Sequence, residues 1–168
     1  MKANWIVFLN SLRPPMELQE LASVFDSHMR VISSDAHHLK SNVVLSELAG
    51  DLEGMGYLVE RMGYLDERRK RDEDLIHIPV LFGEHGTVEK DFRADGYHPE
   101  HRIVLEVEAG RAVANNQFLK DLIEACMMEG SRYLCIAVRQ IYSSGGATSQ
   151  DCDRVCTFFR TLYASNRM

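Results

Sequence analysis

Apolar stripes at helical spacing and short apolar runs alternate along this chain. The run Trp5-Ile6-Val7-Phe8-Leu9 predicts a strand or the first turn of a helix, and Pro14-Pro15 punctuates it. Leu18, Leu21, Ala22, Phe25 and Met29 recur at helical intervals and predict a helix over 16–29. The polar stretch 33–41, with Asp35, His37 and His38, reads as a loop. Val44, Leu45, Leu48, Leu52 and Met55 form the stripe of a second helix over 41–55, stopped by Gly56. Tyr57-Leu58-Val59 begins a short strand, and the charged stretch 63–74 is expected to be exposed.

Strands are then predicted over 75–82, 87–97 and 102–109, with turns between them, and Pro79 marks the first as an edge or bulged strand. Val113, Phe118, Leu122, Ile123, Cys126 and Met127 give a helix over 113–128 one apolar side. The continuous apolar middle of 132–142 (Tyr133 to Val138) suits a strand covered on both faces. A loop over 143–146 and a helix over 151–163 complete the chain. The segment between the 102–109 and 132–142 strands is long enough for a right-handed parallel crossover. The expected class is therefore α/β, with a mixed sheet flanked by helices.

The stretch from Arg93 to Gly110 carries the candidate chemistry. A strand has a side-chain period of two, so Glu106 and Glu108 project from one face. Like charges there repel, and a cation is expected to neutralise them. Asp95 precedes the turn that feeds this strand, and a hairpin would carry it to the same pair. Three carboxylates at a strand end suit a hard divalent ion such as Mg²⁺. The plainer alternative makes Asp95 a turn residue before Gly96 and pairs the two glutamates with Arg93 and Arg102 on an exposed face. Asp91 lies on the Asp95 face in a regular strand and would replace it if the register shifted by two.

Composition narrows the classes. The 168 residues favour a single domain, and the 45% hydrophobic and 26% charged fractions are those of an ordinary globular protein. No apolar run approaches the roughly 20 residues that span a bilayer. The Trp5–Leu9 run is too short for a signal-peptide core, so a cytoplasmic protein is expected. A net charge of −6 is not that of a histone-like DNA binder, although it leaves room for local basic patches. One such patch, Arg61, Arg68, Arg69, Lys70 and Arg71, is interrupted by acids and reads equally as a solvated turn. Cys126, Cys135, Cys152 and Cys156 include no C-x-x-C pair and read as reduced thiols. His98 and His101 read as loop residues, and no phosphate-binding glycine loop, G-x-S-x-G or H-E-x-x-H is present.

The element order, with Asp95, Glu106 and Glu108, resembles the PD-(D/E)xK nuclease superfamily, and within it the type II restriction endonucleases that carry Glu-x-Glu. The resemblance implies an αβββαβ core over 41–142, a helical extension over 1–40 and a C-terminal loop and helix over 143–168. It implies that Asp95, Glu106 and the Val107 carbonyl hold Mg²⁺, with Mn²⁺ as substitute. Glu108 stands where lysine is usual, and Ala94 where proline is. A carboxylate at 108 would accept a proton from the attacking water or hold a second ion. The family's helical glutamate maps best onto Glu47, with Asp51 and Glu53 as competitors. DNA is the implied substrate, with Arg93, Arg111 and Lys120 as candidate phosphate contacts, and the helix over 16–29 is a candidate homodimer surface. For Lys120, which shares a helical face with Gln117, surface solubility is the plainer reading. A catalytically inactive binding module on the same fold is the competing reading.

Overall fold

The structure is a computed structural model that describes residues 2–8, 13–61, 72–110, 112–113, 116–144 and 147–165. Arg111, Leu9, most of the charged stretch after Gly63, the basic residues 68–71 and the glycine pair 145–146 lie outside the described residues.

Helix α1 (Met16–Ile32) runs a turn longer than its apolar stripe predicts. Helix α2 (Ser41–Gly54) buries Val44, Leu45, Leu48 and Leu52, residues that helical geometry places on one face. Its end is a Schellman cap. Tyr57 N–H donates to the Leu52 carbonyl and Gly56 N–H to that of Glu53, both at 3.0 Å. Gly56 takes a φ of 94°, which favours glycine, and Tyr57 and Leu52 join the same core cluster. The cap delivers the chain directly into β1 (Leu58–Val59).

The main sheet has the order β1-β4-β5-β6, with β4 at Gly96–His98, β5 at Ile103–Glu108 and β6 at Tyr133–Val138. β1–β4 and β4–β5 are antiparallel, and β5–β6 is parallel across helix α3 (Gln117–Met127). The expected mixed α/β class is present. Ile103, Leu105 and Val107 face α1 and α2 and build the main core with Leu21, Leu45 and Leu48. Val104 and Leu134 face the other way, against Ala125, Met128 and the hairpin of β2 (Ile76–Phe82) and β3 (Val88–Ala94). Ile136 and Val138 lie beneath Phe118 of α3 and Val155 and Phe159 of helix α4 (Asp151–Ser165).

Four expectations change. The 87–97 strand divides at Asp95, where β3 leaves its partner β2 and β4 enters the main sheet. Gly96 lies at the crossing, packed against the Leu105 side chain and the Leu58 carbonyl. The 75–82 strand is consequently half of a separate two-stranded arm, and two-residue β1 takes its place in the sheet. Pro79 lacks an N–H, and the arm's register shifts just beyond it. Finally, the 132–142 strand stops at Val138. Ile141–Ser144 forms β7 and pairs with Ala147–Gln150, β8, so that 143–144 of the expected loop are strand, while 145–146 lie outside the described residues. Helix α3 also begins at Gln117 rather than Val113. Among the described residues no helix is long and apolar enough to cross a membrane.

Leu48 is fully buried between α2 and the sheet, whereas Leu81 on the arm is 53% exposed. Leu48→Ala should cost about 2–5 kcal/mol in urea unfolding, and Leu81→Ala less than about 0.5 kcal/mol. Equal losses would mean that the core lies elsewhere.

Candidate acidic site at the end of strand β5

β5 buries every residue from Ile103 to Val107 except Glu106, which is half-buried like Glu108. Both glutamates stand on the α3 face, opposite Ile136 and Val138 of β6. The sequence folds this way because the other parity, Ile103, Leu105 and Val107, is uniformly apolar and is claimed by α2.

Asp95 is fixed beside them by its backbone and its side chain. Glu60 N–H donates to its carbonyl at 2.8 Å, holding it next to β1. Val107 N–H donates to its carboxylate Oδ2, also at 2.8 Å. A longer β4 would have used that N–H as a ladder donor, so the side chain finishes the ladder where the backbone departs. Within a strand the N–H and C=O of one residue point to the same side, which puts the Val107 carbonyl on the β4 edge of β5.

Helix α3 lies over this face and adds a fourth carboxylate. Asp121 is 4% exposed. Gln117 Nε2 donates to its Oδ1 at 3.2 Å, while its Oδ2 is buried and meets no donor. Glu108 lies within reach of Asp121 and, when protonated, is the donor that this carboxylate otherwise lacks. Lys120 sits at the rim and donates to Glu124 Oε2 at 3.1 Å.

The electrostatics follow from this crowding. Burial, then Asp95, Asp121 and Glu108, push the Glu106 carboxyl up to about 9, with Lys120 pulling the other way. Burial, then Asp121 and Asp95, push Glu108 up to about 8, again against Lys120. Asp121 is also raised, first by burial. For Lys120 burial is the largest single effect and lowers it, but Glu124, Asp121 and Glu106 together hold it above its usual value. The fold thus gathers carboxyl groups that at neutral pH must either keep protons or meet a cation.

The structure therefore brings together Asp95, Glu106, Glu108 and the Val107 backbone, with Lys120 at the edge. It does not bring in Glu47, which is exposed on α2, the helix that covers the opposite face of the sheet. Arg93 is exposed on the arm, and its cross-strand neighbour is His77. Arg111 lies outside the described residues. The shifts of Glu106 and Glu108 trace first to burial and then to carboxylates, opposed by Lys120, not to Arg93 or Arg102. Asp91 belongs to the arm, with its Oδ1 3.1 Å from His77 Nδ1. His98 is structural: Nε2 bonds the Met55 carbonyl at 2.9 Å and Nδ1 accepts from His101 N–H at 3.2 Å. Burial pushes the Cys135 and Cys152 thiols up to about 12, which suits unreactive thiols. Asp121 is the residue that the apolar periodicity passed over. It lies on the buried stripe Phe118–Asp121–Ala125, and a charge on a buried stripe is the signal that would have found it.

All the donors here are oxygens, as a hard divalent ion requires. The orphaned Asp121 Oδ2 and the proton-hungry glutamates fit such an ion chemically. As the side chains stand, no three His, Cys, Asp or Glu residues among those described are set to hold one ion, so binding would draw the glutamates inward. Compared with known proteins, the chain matches no family model, no curated sequence and no solved structure.

The metal-free protein should show the cluster in its pH dependence. In the unfolded chain Glu106 and Glu108 ionise near 4.5, and in the fold near 9 and 8. Between those limits the folded state binds more protons, so their contribution is complete below the lower value and is lost as pH rises toward the upper ones. With chelator present, the melting temperature of the wild type relative to a Glu106→Gln/Glu108→Gln variant should fall by several degrees from pH 5 to 9. A constant difference would contradict the crowding.

Proposed function

We propose that this protein is a metal-dependent phosphodiesterase that cuts DNA, an endonuclease of the PD-(D/E)xK kind related to type II restriction enzymes. The observation that carries the reading is the convergence of Asp95, Glu106 and Glu108 at the end of β5. The topology supports it. With the β2–β3 arm set aside as an insertion, α2-β1-β4-β5-α3-β6 is an αβββαβ order with three antiparallel strands and one parallel crossover.

In this reading Asp95, Glu106 and the Val107 carbonyl would hold Mg²⁺ or Mn²⁺, which would supply charge neutralisation at the phosphoryl group and at the departing 3′ oxygen. Glu108 accepts a proton from the attacking water, whose oxygen bonds to phosphorus as the bond to the 3′ oxygen breaks. The leaving oxygen takes its proton from solvent. Lys120, 57% exposed, is positioned to meet a neighbouring phosphate, and Arg93 would do so from the arm. A cytoplasmic homodimer, cutting each strand with one site, completes the proposal.

A second reading, a binding module without catalysis, is favoured by two observations. Glu108 replaces the lysine of the family pattern, and Glu47 lies across the sheet from the cluster.

Incubation of supercoiled plasmid with Mg²⁺ or Mn²⁺ separates the two. The wild type should nick it, and Asp95→Asn should reduce the rate by at least about 100-fold, the upper range for losing an outer partner of a metal site. Asparagine still accepts from Val107 N–H, so the strand junction survives. Either ion should raise the wild-type melting temperature and leave Asp95→Asn unmoved. A thermal shift that persists in Asp95→Asn would count against the site. No nicking together with no shift would leave the binding module.

A further inference from the structure

A cavity of about 640 Å³ lies along strand β6. Protein interiors rarely leave voids much larger than a water molecule, and cavities of this size are those that hold ligands. Residues 132–140 line it without a gap. Both parities of the strand take part, so the space follows the edge of β6 rather than one face. β6 is the last strand of its sheet, and among the described residues no strand pairs with its outer edge. Alternate backbone N–H and C=O groups therefore face the cavity with no ladder to meet them. All six residues from Tyr133 to Val138 are only half-buried, although the run is apolar throughout.

Residues 3–8 cross this edge. Ala3 N–H donates to Asp26 Oδ1 of α1 at 2.6 Å, and Phe8 lies against Phe159 and Tyr163 of α4, with ring centroids 5.3 and 5.8 Å apart. α1 covers one face of the sheet and α4 the other, so the segment straddles the edge instead of running along it. The strap keeps the sheet of a second copy from reaching β6 but leaves room beneath it for a single extended chain. Among the described residues, the fixed charges lining the cavity are Lys2, Arg132 and Arg139 against Asp35 alone, a positive rim on a chain of net charge −6.

We propose that this cavity takes an extended peptide from a partner protein, apolar at alternate positions and acidic at its ends, which adds a strand to the edge of β6. The peptide backbone meets the open N–H and C=O groups, and its apolar side chains fill the space on either side. Its acidic ends meet Arg132 and Arg139, which stand at opposite ends of β6. An aliphatic ligand would fill the volume but leave the backbone groups unmet. The acidic site at β5 plays no part in this recognition.

Trp5 lines the cavity and is the only tryptophan of the chain, so its emission reads occupancy. The full chain is titrated with a synthetic peptide that matches the six residues of β6 in length, alternates valine with threonine and carries an added aspartate at each end. A saturable change in emission is expected. Two further peptides carry N-methyl groups on residues of one parity or the other. The one methylated on the edge that faces β6 should bind at least about tenfold more weakly, and the other about as well as the parent. Lysine in place of both aspartates should weaken binding by about tenfold at low salt. No saturable change, equal affinity of the two methylated peptides, or undiminished binding of the lysine-ended one overturns the proposal. So does a chain that sediments as a dimer and is split by the peptide, since a second copy would then occupy the edge.

Discussion

The hydrogen bond from Val107 N–H to the Asp95 carboxylate is the constraint on which the rest of this architecture turns. It lies where one chain segment belongs to two sheets, with β3 paired to the arm and β4 paired to β5. A backbone that leaves a ladder strands a buried donor, and an unmet donor costs about 1–3 kcal/mol. Here the side chain of the residue at the junction supplies the acceptor. One contact therefore closes the sheet, sets where β4 begins and fixes a carboxylate beside two others.

The remainder of the site is built against electrostatic preference. Glu106 and Glu108 lie on the face of β5 that α3 covers, between Ile136 and Val138 on one side and Asp121 above. Apolar residues of similar volume would make a more stable sheet, because burying carboxylates without partners is costly. In the proposed function, retaining these groups trades stability for a place where charge is needed, as functional sites commonly do. The trade is tolerable because the opposite face is entirely apolar. Leu45, Leu48 and Leu52 of α2 press on Ile103, Leu105 and Val107, and that layer anchors the strand irrespective of what its other face carries.

Much of this could be read from the sequence, and the misreadings share a physical cause. The stripe of α2, its glycine stop, the β5–α3–β6 crossover and the projection of Glu106 and Glu108 all follow from local periodicity. What periodicity does not register is a strand changing partners. The segment 87–97 has a continuous extended pattern, and the break shows only in the tertiary pairing, which passes from β2 to β5 across Asp95. Asp121 escaped for a related reason: a helix pattern is drawn from its apolar residues, and the one charge within the buried stripe is passed over. Glu47 satisfied a sequence spacing but sits on the helix beyond the far face of the sheet. Arg93 and Arg102, the partners in the plainer alternative, are not among the groups that shift the two glutamates.

The central claim is that these carboxylates exist to gather a cation. Crystals soaked in Mn²⁺ and measured at a wavelength where manganese scatters anomalously would test it most directly. The account predicts an anomalous peak within ligand distance of Asp95, Glu106 and the Val107 carbonyl. A well-ordered β5 with no peak there, its glutamates paired instead to arginine side chains, would contradict it.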